Sequence, residues 1–321
     1  MRAFVTGGTG FIGSRVVKRL CDRGDEVVAL VRSPSKAAEL EGAGAELVEG
    51  DLTSTDAITR GTEGADAVFH IGAVYKVGIP AKERAPMWDA NVEGTRRILD
   101  AAEAAGVKRI VYVSTGNVFG NTKGRVVDET YQRDLADGFL SYYDETKYRS
   151  HELVKERIAA GAPVVVVQPG VTYGPGDHSE VGNLIGQLES GKLKLRMFPD
   201  AGYNFVFVDD VAEGIVLAHD KGRVGESYLL GGQVATMDDL YRVTAEALGK
   251  KPPRLAMPVV LAKASSPLGP VLGPLMGFPP NMRELVKTSN VTITFRDDKA
   301  RAELGYEGRP LAAGIAATVK R

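Results

Sequence analysis

The sequence predicts an α/β fold, a doubly wound parallel sheet with a smaller, mainly C-terminal α/β lobe. Two observations carry that expectation. Short apolar runs alternate with stretches of helical period as far as Gly170, the pattern of consecutive βαβ units. The first unit bends through glycines spaced three apart, at Gly7, Gly10 and Gly13.

That opening turn is the most informative stretch. Ala3-Phe4-Val5 reads as a buried strand and Thr6-Gly7-Gly8-Thr9-Gly10-Phe11-Ile12-Gly13 as a tight turn, followed by apolar positions at helical spacing to Leu20. Glycines let the backbone bend sharply and approach a pyrophosphate, and the last of them lets helix and strand pack. The N–H groups and positive dipole end of the helix favour phosphate oxygens. A strand-to-helix bend needs no ligand, so the glycines alone are weak evidence. Their place at the very start of a βαβ unit points to a nucleotide.

Composition narrows the field. A chain of 321 residues suits one large domain or two smaller ones. Lys plus Arg number 40 and Asp plus Glu 41, for a net charge of -1, so no basic excess suggests nucleic acid. Cys21 is the single cysteine, which rules out an internal disulfide framework and fits a reducing cytoplasm. Met1-Arg2 leads straight into a strand with no secretory pattern. The apolar stretch from Leu255 to Pro280 is broken by Lys263 and several prolines, so it reads as a substrate-side or oligomer surface and not as a membrane span. His70, His151, His178 and His219 are scattered with no cysteine partners, and no metal site is expected.

Glu26 to Val31 reads as the next buried parallel strand. Folds of this kind that bind NAD place an acid about twenty residues past the glycines. Here Arg32-Ser33-Pro34-Ser35-Lys36 stands instead, without a carboxylate. A guanidinium suits a 2′-phosphate through paired charge-assisted bonds. Arg32 and Lys36 therefore favour NADP over NAD, against the plain alternative of a solvated arginine at a strand end. Strands are expected over 45–50 and 67–71, running into Asp51-Leu52 and Gly72-Ala73-Val74, at the edge where ligands of open α/β sheets collect. Asp51 suits either an adenine amino group or the cap of the following helix.

A long helix is expected from about 87 to 105, containing Asn91-Val92-Glu93-Gly94-Thr95 and ending at Gly106. The strand to Val113 runs into Ser114-Thr115-Gly116-Asn117, which puts hydroxyls at the same edge. Ser141 opens a helix to about 158 in which Tyr143 and Lys147, four apart, share one face. With 11 tyrosines in the chain, that spacing alone carries little weight. A β-branched strand then closes into Pro169-Gly170-Val171. Beyond Gly170 the alternation loosens into a turn cluster at Tyr173–Asp177, a helix over 182–191, a strand at 205–208, a helix over 211–218 capped by Asp209 or Asp210, and a strand at 228–230. From Met237 the chain is helical and proline-rich. The expected division is a dinucleotide-binding domain of 1–172 with about 206–234, and a substrate-binding lobe of about 173–205 and 235–321.

Taken together, these motifs resemble the extended short-chain dehydrogenases/reductases, the NAD-dependent epimerase/dehydratase group. The opening signature is joined, in order, by Gly50-Asp51-Leu52, Asn91-Val92-Glu93-Gly94-Thr95, Tyr112-Val113-Ser114-Thr115 with Phe119-Gly120, and Tyr143 to Lys147. Gln168-Pro169-Gly170 through Asp177, Val208-Asp209-Asp210-Val211-Ala212, and Lys299-Ala300-Arg301 with Glu303-Leu304-Gly305-Tyr306 follow. The match spans the chain. The resemblance implies a Rossmann-type sheet and places the family's catalytic tyrosine at Tyr143, its lysine at Lys147 and its hydroxyl residue at Thr115, with Asn91 supporting the site through a water. It further places the nicotinamide near Pro169, Gly170 and Val171. With the strand ends and the glycine turn, the expected cofactor contacts are Gly7, Thr9, Gly10, Phe11, Ile12, Gly13, Arg32, Lys36, Asp51, Leu52, Gly72, Ala73, Val74, Ser114, Tyr143 and Lys147. Chemistry agrees: a carbonyl receiving hydride needs a proton donor, and an ammonium at Lys147 is expected to lower the tyrosine pKa.

Three functions remain open. The first is an NADP(H)-dependent oxidoreductase resembling dihydroflavonol and cinnamoyl-CoA reductases, favoured by Arg32. The second is a nucleotide-sugar epimerase with retained NAD; a hopanoid-associated epimerase-like subgroup carries a similar arginine. Dehydration is disfavoured, because Gly116-Asn117 stands where the family's dehydratases carry an Asp-Glu pair. The third is a non-catalytic dinucleotide sensor, disfavoured by the retained Tyr143 and Lys147. Substrate-facing candidates are Tyr75, Lys76, Asn117, Tyr173 and Tyr203, with His178 and Phe205 behind them. The family also implies a homodimer built through the helices that begin near Met87 and Ser141.

Overall fold

The structure, a computed structural model, describes residues 1–257, 260 and 282–320. Its strands are β1 (Arg2–Thr6), β2 (Glu26–Val31), β3 (Glu46–Glu49), β4 (Ala67–His70), β5 (Arg109–Val113), β6 (Val126–Val127), β7 (Val164–Pro169), β8 (Val171–Tyr173), β9 (Leu195–Met197), β10 (Gly202–Phe207), β11 (Ser227–Leu230), β12 (Gln233–Thr236), β13 (Leu255–Met257) and β14 (Thr294–Phe295). The helices are α1 (Gly13–Asp22), α2 (Ala38–Gly42), α3 (Thr55–Thr62), α4 (Arg84–Trp88), α5 (Gly94–Ala104), α6 (Tyr142–Ala159), α7 (Glu180–Glu189), α8 (Val208–Lys221), α9 (Met237–Ala247), α10 (Met282–Ser289) and α11 (Leu311–Val319).

Seven strands form one parallel sheet in the order β3-β2-β1-β4-β5-β7-β11. The chain lays β2 and β3 to one side of β1, then returns to build outward from β4 on the other. The fold is therefore the doubly wound Rossmann type, and its order reverses between β1 and β4, the position at which such sheets bind ligands. Both faces are covered, so the inner strands are near-continuous apolar runs, as in the fully buried Val164–Val167. Val16, Val17 and Leu20 of α1 with Val211, Ile215 and Ala218 of α8 cover one face. Ile58 of α3, Ile98 and Leu99 of α5, and Leu153 and Val154 of α6 cover the other.

The second lobe is built on a three-stranded sheet, β12-β10-β8. Tyr173, Phe205, Phe207, Leu240, Leu311 and Ile315 share its core. One cation joins this lobe to the glycine turn: Arg15 donates to Phe11 O (2.7 Å) and Pro175 O (2.6 Å) and pairs with Asp209 (3.0 Å).

Two expectations change, and a third lies mostly outside the described residues. The helix expected over 87–105 is interrupted by a wide π turn at Asp89–Glu93 between α4 and α5. The carbonyl of Asn91 there accepts from the hydroxyls of both Thr95 (2.7 Å) and Ser150 (2.7 Å). Neither Asp209 nor Asp210 caps α8, whose first turn has no side-chain cap; Asp210 instead accepts from the Arg309 guanidinium and backbone. Of the 255–280 stretch, only Leu255–Met257, which pairs with β9, and Val260 are described; the remainder of that reading lies outside the described residues.

Candidate active site

The glycine turn is a close-packed bend. Gly7 has φ +75°, and a Cβ there would lie 2.7 Å from Gly72 Cα. A Cβ on Gly13 would lie 2.0 Å from Gly7 O, so the start of α1 sits directly on the bend. At Gly10 the only close atom is Gly7 O, at 3.0 Å, on an otherwise exposed surface. Gly10 N–H donates to Gly7 O and Ser14 N–H to Gly10 O (both 2.9 Å), while the N–H groups of Phe11 and Ile12 have no partner among the described residues. Thr9 and Gly10 are exposed beside them. This cradle of glycine backbone and open N–H groups fits a diphosphate.

The strand register extends the cradle toward Arg32. Thr6 pairs with Leu30, so Arg32 emerges beside the turn. Arg32 and Lys36 are exposed and make no hydrogen bond or ion pair among the described residues. Asp51 does not cap α3. Its carboxylate accepts from Thr53 N–H (2.8 Å), Thr53 Oγ1 (2.6 Å) and Ser54 Oγ (3.1 Å). Those bonds, with the Thr53 hydroxyl foremost, hold its pKa below the ordinary value against the effect of burial, with a smaller contribution from the Arg32 charge. Leu52 packs under Gly94. Gly170 lies against Asn204 O and Val171 begins β8, so Pro169, Gly170 and Val171 form the junction of the two sheets.

A buried polar network beneath the turn was not legible in the sequence. Thr6 Oγ1 is 2.8 Å from His70 Nδ1, and His70 Nε2 is 3.0 Å from Thr95 Oγ1. Thr95 gives its proton to Asn91 O, so it must accept from His70 Nε2–H; Thr6 then donates to Nδ1 and accepts from Gly72 N–H (3.2 Å). The network thus assigns the tautomer. Burial, aided by the Lys147 charge, pushes the His70 pKa down to about 3, which keeps the ring neutral.

The face of α6 turned to the sheet is unusually polar: Asp144, Thr146, Lys147, Ser150 and His151 are all buried. Lys147 Nζ donates to Val113 O (2.9 Å) and Tyr112 Oη (3.4 Å), at the end of the strand that leads to Thr115. Desolvation brings its pKa down to about 7. Tyr143, half-buried one helical turn earlier, has its pKa raised, first by burial and then by the Asp144 carboxylate. The expected lowering by Lys147 is not seen, because that ammonium is aimed at Val113 and Tyr112. Thr115 Oγ1 accepts from Asn117 N–H (3.2 Å), and Ser114 Oγ lies 3.0 Å from His151 Nδ1. Asn91 is a direct clamp: its side chain accepts from Val74 N–H (2.7 Å) and donates to Val74 O and Thr146 Oγ1 (both 3.0 Å). Thr146 in turn donates to Tyr143 O (2.9 Å).

On the open side, the Tyr75 and Tyr143 rings meet edge to face, 4.8 Å apart at 88°. A cleft of about 360 Å³ runs outward from there past Lys76, Ile79, His178, Glu180 and Asn183. Lys76 pairs with Glu83 (3.1 Å). Asn117 is half-buried beside Thr115. Tyr173 and Tyr203 require correction. Tyr173 is 0% exposed and donates to Leu311 O, and Tyr203 is 8% exposed and donates to Thr288 O. With Phe205 they fill the core of the second lobe, because both faces of its small sheet are covered. A second buried group lies at the start of α6: Arg133 grips Asp144 with both terminal nitrogens (2.9 and 3.1 Å), and Asp144 also accepts from Leu140 N–H. Among the described residues no helix is long and apolar enough to cross a membrane, and no cluster of metal-ligating side chains occurs.

Comparison with known proteins agrees with this geometry. The chain is 30% identical to a putative dihydroflavonol 4-reductase of Synechocystis sp. over 98% of this chain and 93% of that protein. It is 32% identical to a 4-hydroxy-2-methyl-3-oxo-4-farnesyl-3,4-dihydroquinoline-1-oxide ketoreductase of Stigmatella aurantiaca, over 96% and 92% of the two chains. The solved dTDP-glucose 4,6-dehydratase double mutant from Streptomyces venezuelae, which holds NAD, superposes with a TM-score of 0.80 at 26% identity, covering 100% of this chain and 96% of that one. The model of the NAD dependent epimerase/dehydratase family matches residues 3–231, and the chain belongs to that family, an extended short-chain dehydrogenase/reductase.

Proposed function

We propose that the protein is an NADP(H)-dependent oxidoreductase that interconverts a carbonyl and an alcohol, with Tyr143 as the acid/base group. The observation that carries the cofactor preference is Arg32, an exposed, unpaired guanidinium among the described residues, standing beside the glycine turn where an acid would select NAD. The glycine cradle holds the diphosphate. The dinucleotide, when bound, supplies the hydride; the chain supplies orientation and the proton.

Thr115 hydroxyl orients the substrate oxygen. As that oxygen gains negative charge, the Tyr143 hydroxyl gives it a proton; a phenol with a raised pKa keeps that proton through neutral pH. Lys147, fixed on Val113 O and Tyr112 Oη one helical turn from Tyr143, titrates near neutrality and keeps a cation at the end of the strand that leads to Thr115 at and below that pH. The cleft beside Tyr75 sets Tyr75, Val77, Ile79 and Pro80 against Lys76, His178, Ser179, Glu180 and Asn183, with no arginine among its lining residues. The lack of arginine there, with the reductase names of two relatives, supports a carbonyl substrate that carries no diphosphate.

Epimerisation of a nucleotide sugar with retained NAD is the second reading, favoured by the family and by the NAD-bearing dehydratase. Nucleotide extraction from the purified protein separates the two. An empty site that binds NADPH far better than NADH, with the preference abolished in Arg32→Ala, supports the reductase; stoichiometric NAD released only on denaturation overturns it. A homodimer through α5 and α6 and a cytoplasmic location belong to the same proposal, the first checked by sedimentation velocity.

A further inference from the structure

Tyr75 is an uncommon surface residue. The residue is 49% exposed, yet both ends of its side chain are engaged. The ring packs against Tyr143, and the hydroxyl donates to Glu180 Oε2 at 2.8 Å. Glu180 is the first residue of α7, in the second lobe, while Tyr75 follows β4 of the large sheet. The contact therefore crosses from one lobe to the other directly over the phenol.

The backbone beneath Tyr75 is fixed independently. Asn91 holds the neighbouring Val74 by both its N–H and its C=O and reaches Thr146, whose hydroxyl donates to Tyr143 O. Tyr75 and Tyr143 thus hang from one clamp at their backbones, while their rings depend on what holds the Tyr75 hydroxyl. Glu180 offers the Tyr75 hydroxyl a carboxylate acceptor at 2.8 Å, and hydrogen bonds to carboxylates are shorter and stronger than those between neutral groups. The other charged or titratable groups at this end are Asp177, His178, Lys76 and Glu83; Lys76 is taken by Glu83, and the Asp177 carboxylate accepts from Ser179 N–H (2.8 Å) and Oγ (2.9 Å). Glu180 is left as the carboxylate that holds Tyr75.

We propose that Glu180, acting through Tyr75, is a positioning residue that fixes the Tyr143 ring for proton transfer, so that the second lobe sets the phenol's orientation from across the lobe boundary. This rests on the reading of Tyr143 as the proton donor. It assigns the pair a role apart from binding cofactor: Tyr75 supplies the surface, and Glu180 prevents that surface from turning away.

The test uses full-length protein carrying 13C-labelled tyrosine, with the Tyr143 ring signal identified by its loss in Tyr143→Phe. In Glu180→Ala and in Tyr75→Phe, which keeps the ring and removes the hydroxyl, the Tyr143 signal should shift and broaden. In Glu180→Gln, which keeps an acceptor, it should return to its wild-type position. NADPH affinity should stay within twofold in all three variants. A Tyr143 signal unmoved by both Glu180→Ala and Tyr75→Phe, or shifted equally by Glu180→Gln, overturns the proposal. The readout needs no substrate, so loss of the oxidoreductase reading, seen as failure to bind NADPH in the unmodified protein, is a separate result.

Discussion

Gly7 and Gly72 touch through their backbones: a Cβ on Gly7 would stand 2.7 Å from the Gly72 Cα. The ends of β1 and β4 thereby close to contact at the point where the sheet order reverses. The bend leaves no room for a side chain at Gly7 and Gly13 and crowds one less at Gly10. Gly13→Ala, with its methyl 2.0 Å from Gly7 O, should weaken NADPH binding at least about 100-fold and cost about 1–3 kcal/mol of stability through overpacking. Gly10→Ala, whose methyl would meet a single atom, Gly7 O at 3.0 Å, should cost clearly less stability than Gly13→Ala. Fluorescence titration with NADPH and urea unfolding measure both.

Tyr143→Phe removes the proton donor and keeps the edge-to-face contact with Tyr75. Turnover should fall by about 10²–10⁴-fold, the range for loss of a general acid, with NADPH affinity unchanged. A dinucleotide sensor predicts equal NADPH affinity in the two proteins and no turnover in the parent to lose. Single-turnover NADPH oxidation beside a binding titration separates the two.

His70 and His151 are buried neutral, each with its pKa pushed down to about 3, chiefly by desolvation. The unfolded chain takes up protons at these sites as pH falls through about 6.5, and the folded chain does not until far lower. Their contribution is therefore complete above pH 6.5 and is lost on acidification, at up to about 1.4 kcal/mol per pH unit for each histidine. Urea denaturation at pH 7.5, 6.0 and 5.0 should show the fall, and His70→Gln should show a shallower one from a lower starting value.

Arg133 and Asp144 form an ion pair whose side chains are 2% and 3% exposed. Arg133→Ala strands the carboxylate and should cost about 3–5 kcal/mol. Replacing both residues, as Arg133→Met with Asp144→Leu, should recover a large part of that loss, because no buried charge is then left alone. A double-mutant cycle in urea gives the coupling directly.

What could be read from the chain alone follows physical scale. The strands of the large sheet were legible because both faces are covered, which forces continuous apolar runs such as Val164–Val167. The glycine bend was legible because a backbone that tight admits one residue type. The network of Thr6, His70, Thr95 and Asn91 was not, since it joins residues as far as 64 apart in sequence and its members are ordinary polar residues one at a time. A hint did exist in α6, where Thr146, Lys147 and Ser150 occupy positions that packing alone would fill with aliphatics. Tyr173 and Tyr203 misled because a tyrosine in an irregular lobe looks the same whether it faces a ligand or another aromatic ring. The aspartates in the first turn of α8 misled for a related reason: helix-start carboxylates usually serve their own helix, and these serve Arg15 and Arg309.

Arg15 spends its three nitrogens on Phe11 O, Pro175 O and Asp209, so the loop that carries Phe11 is pinned by groups that arrive in the sequence more than 150 residues later. An N-terminal fragment ending before Pro175 would contain every glycine of the bend yet inherit a slack version of it. Anyone seeking a minimal coenzyme-binding module from this scaffold would have to graft a substitute anchor for that guanidinium before shortening the chain.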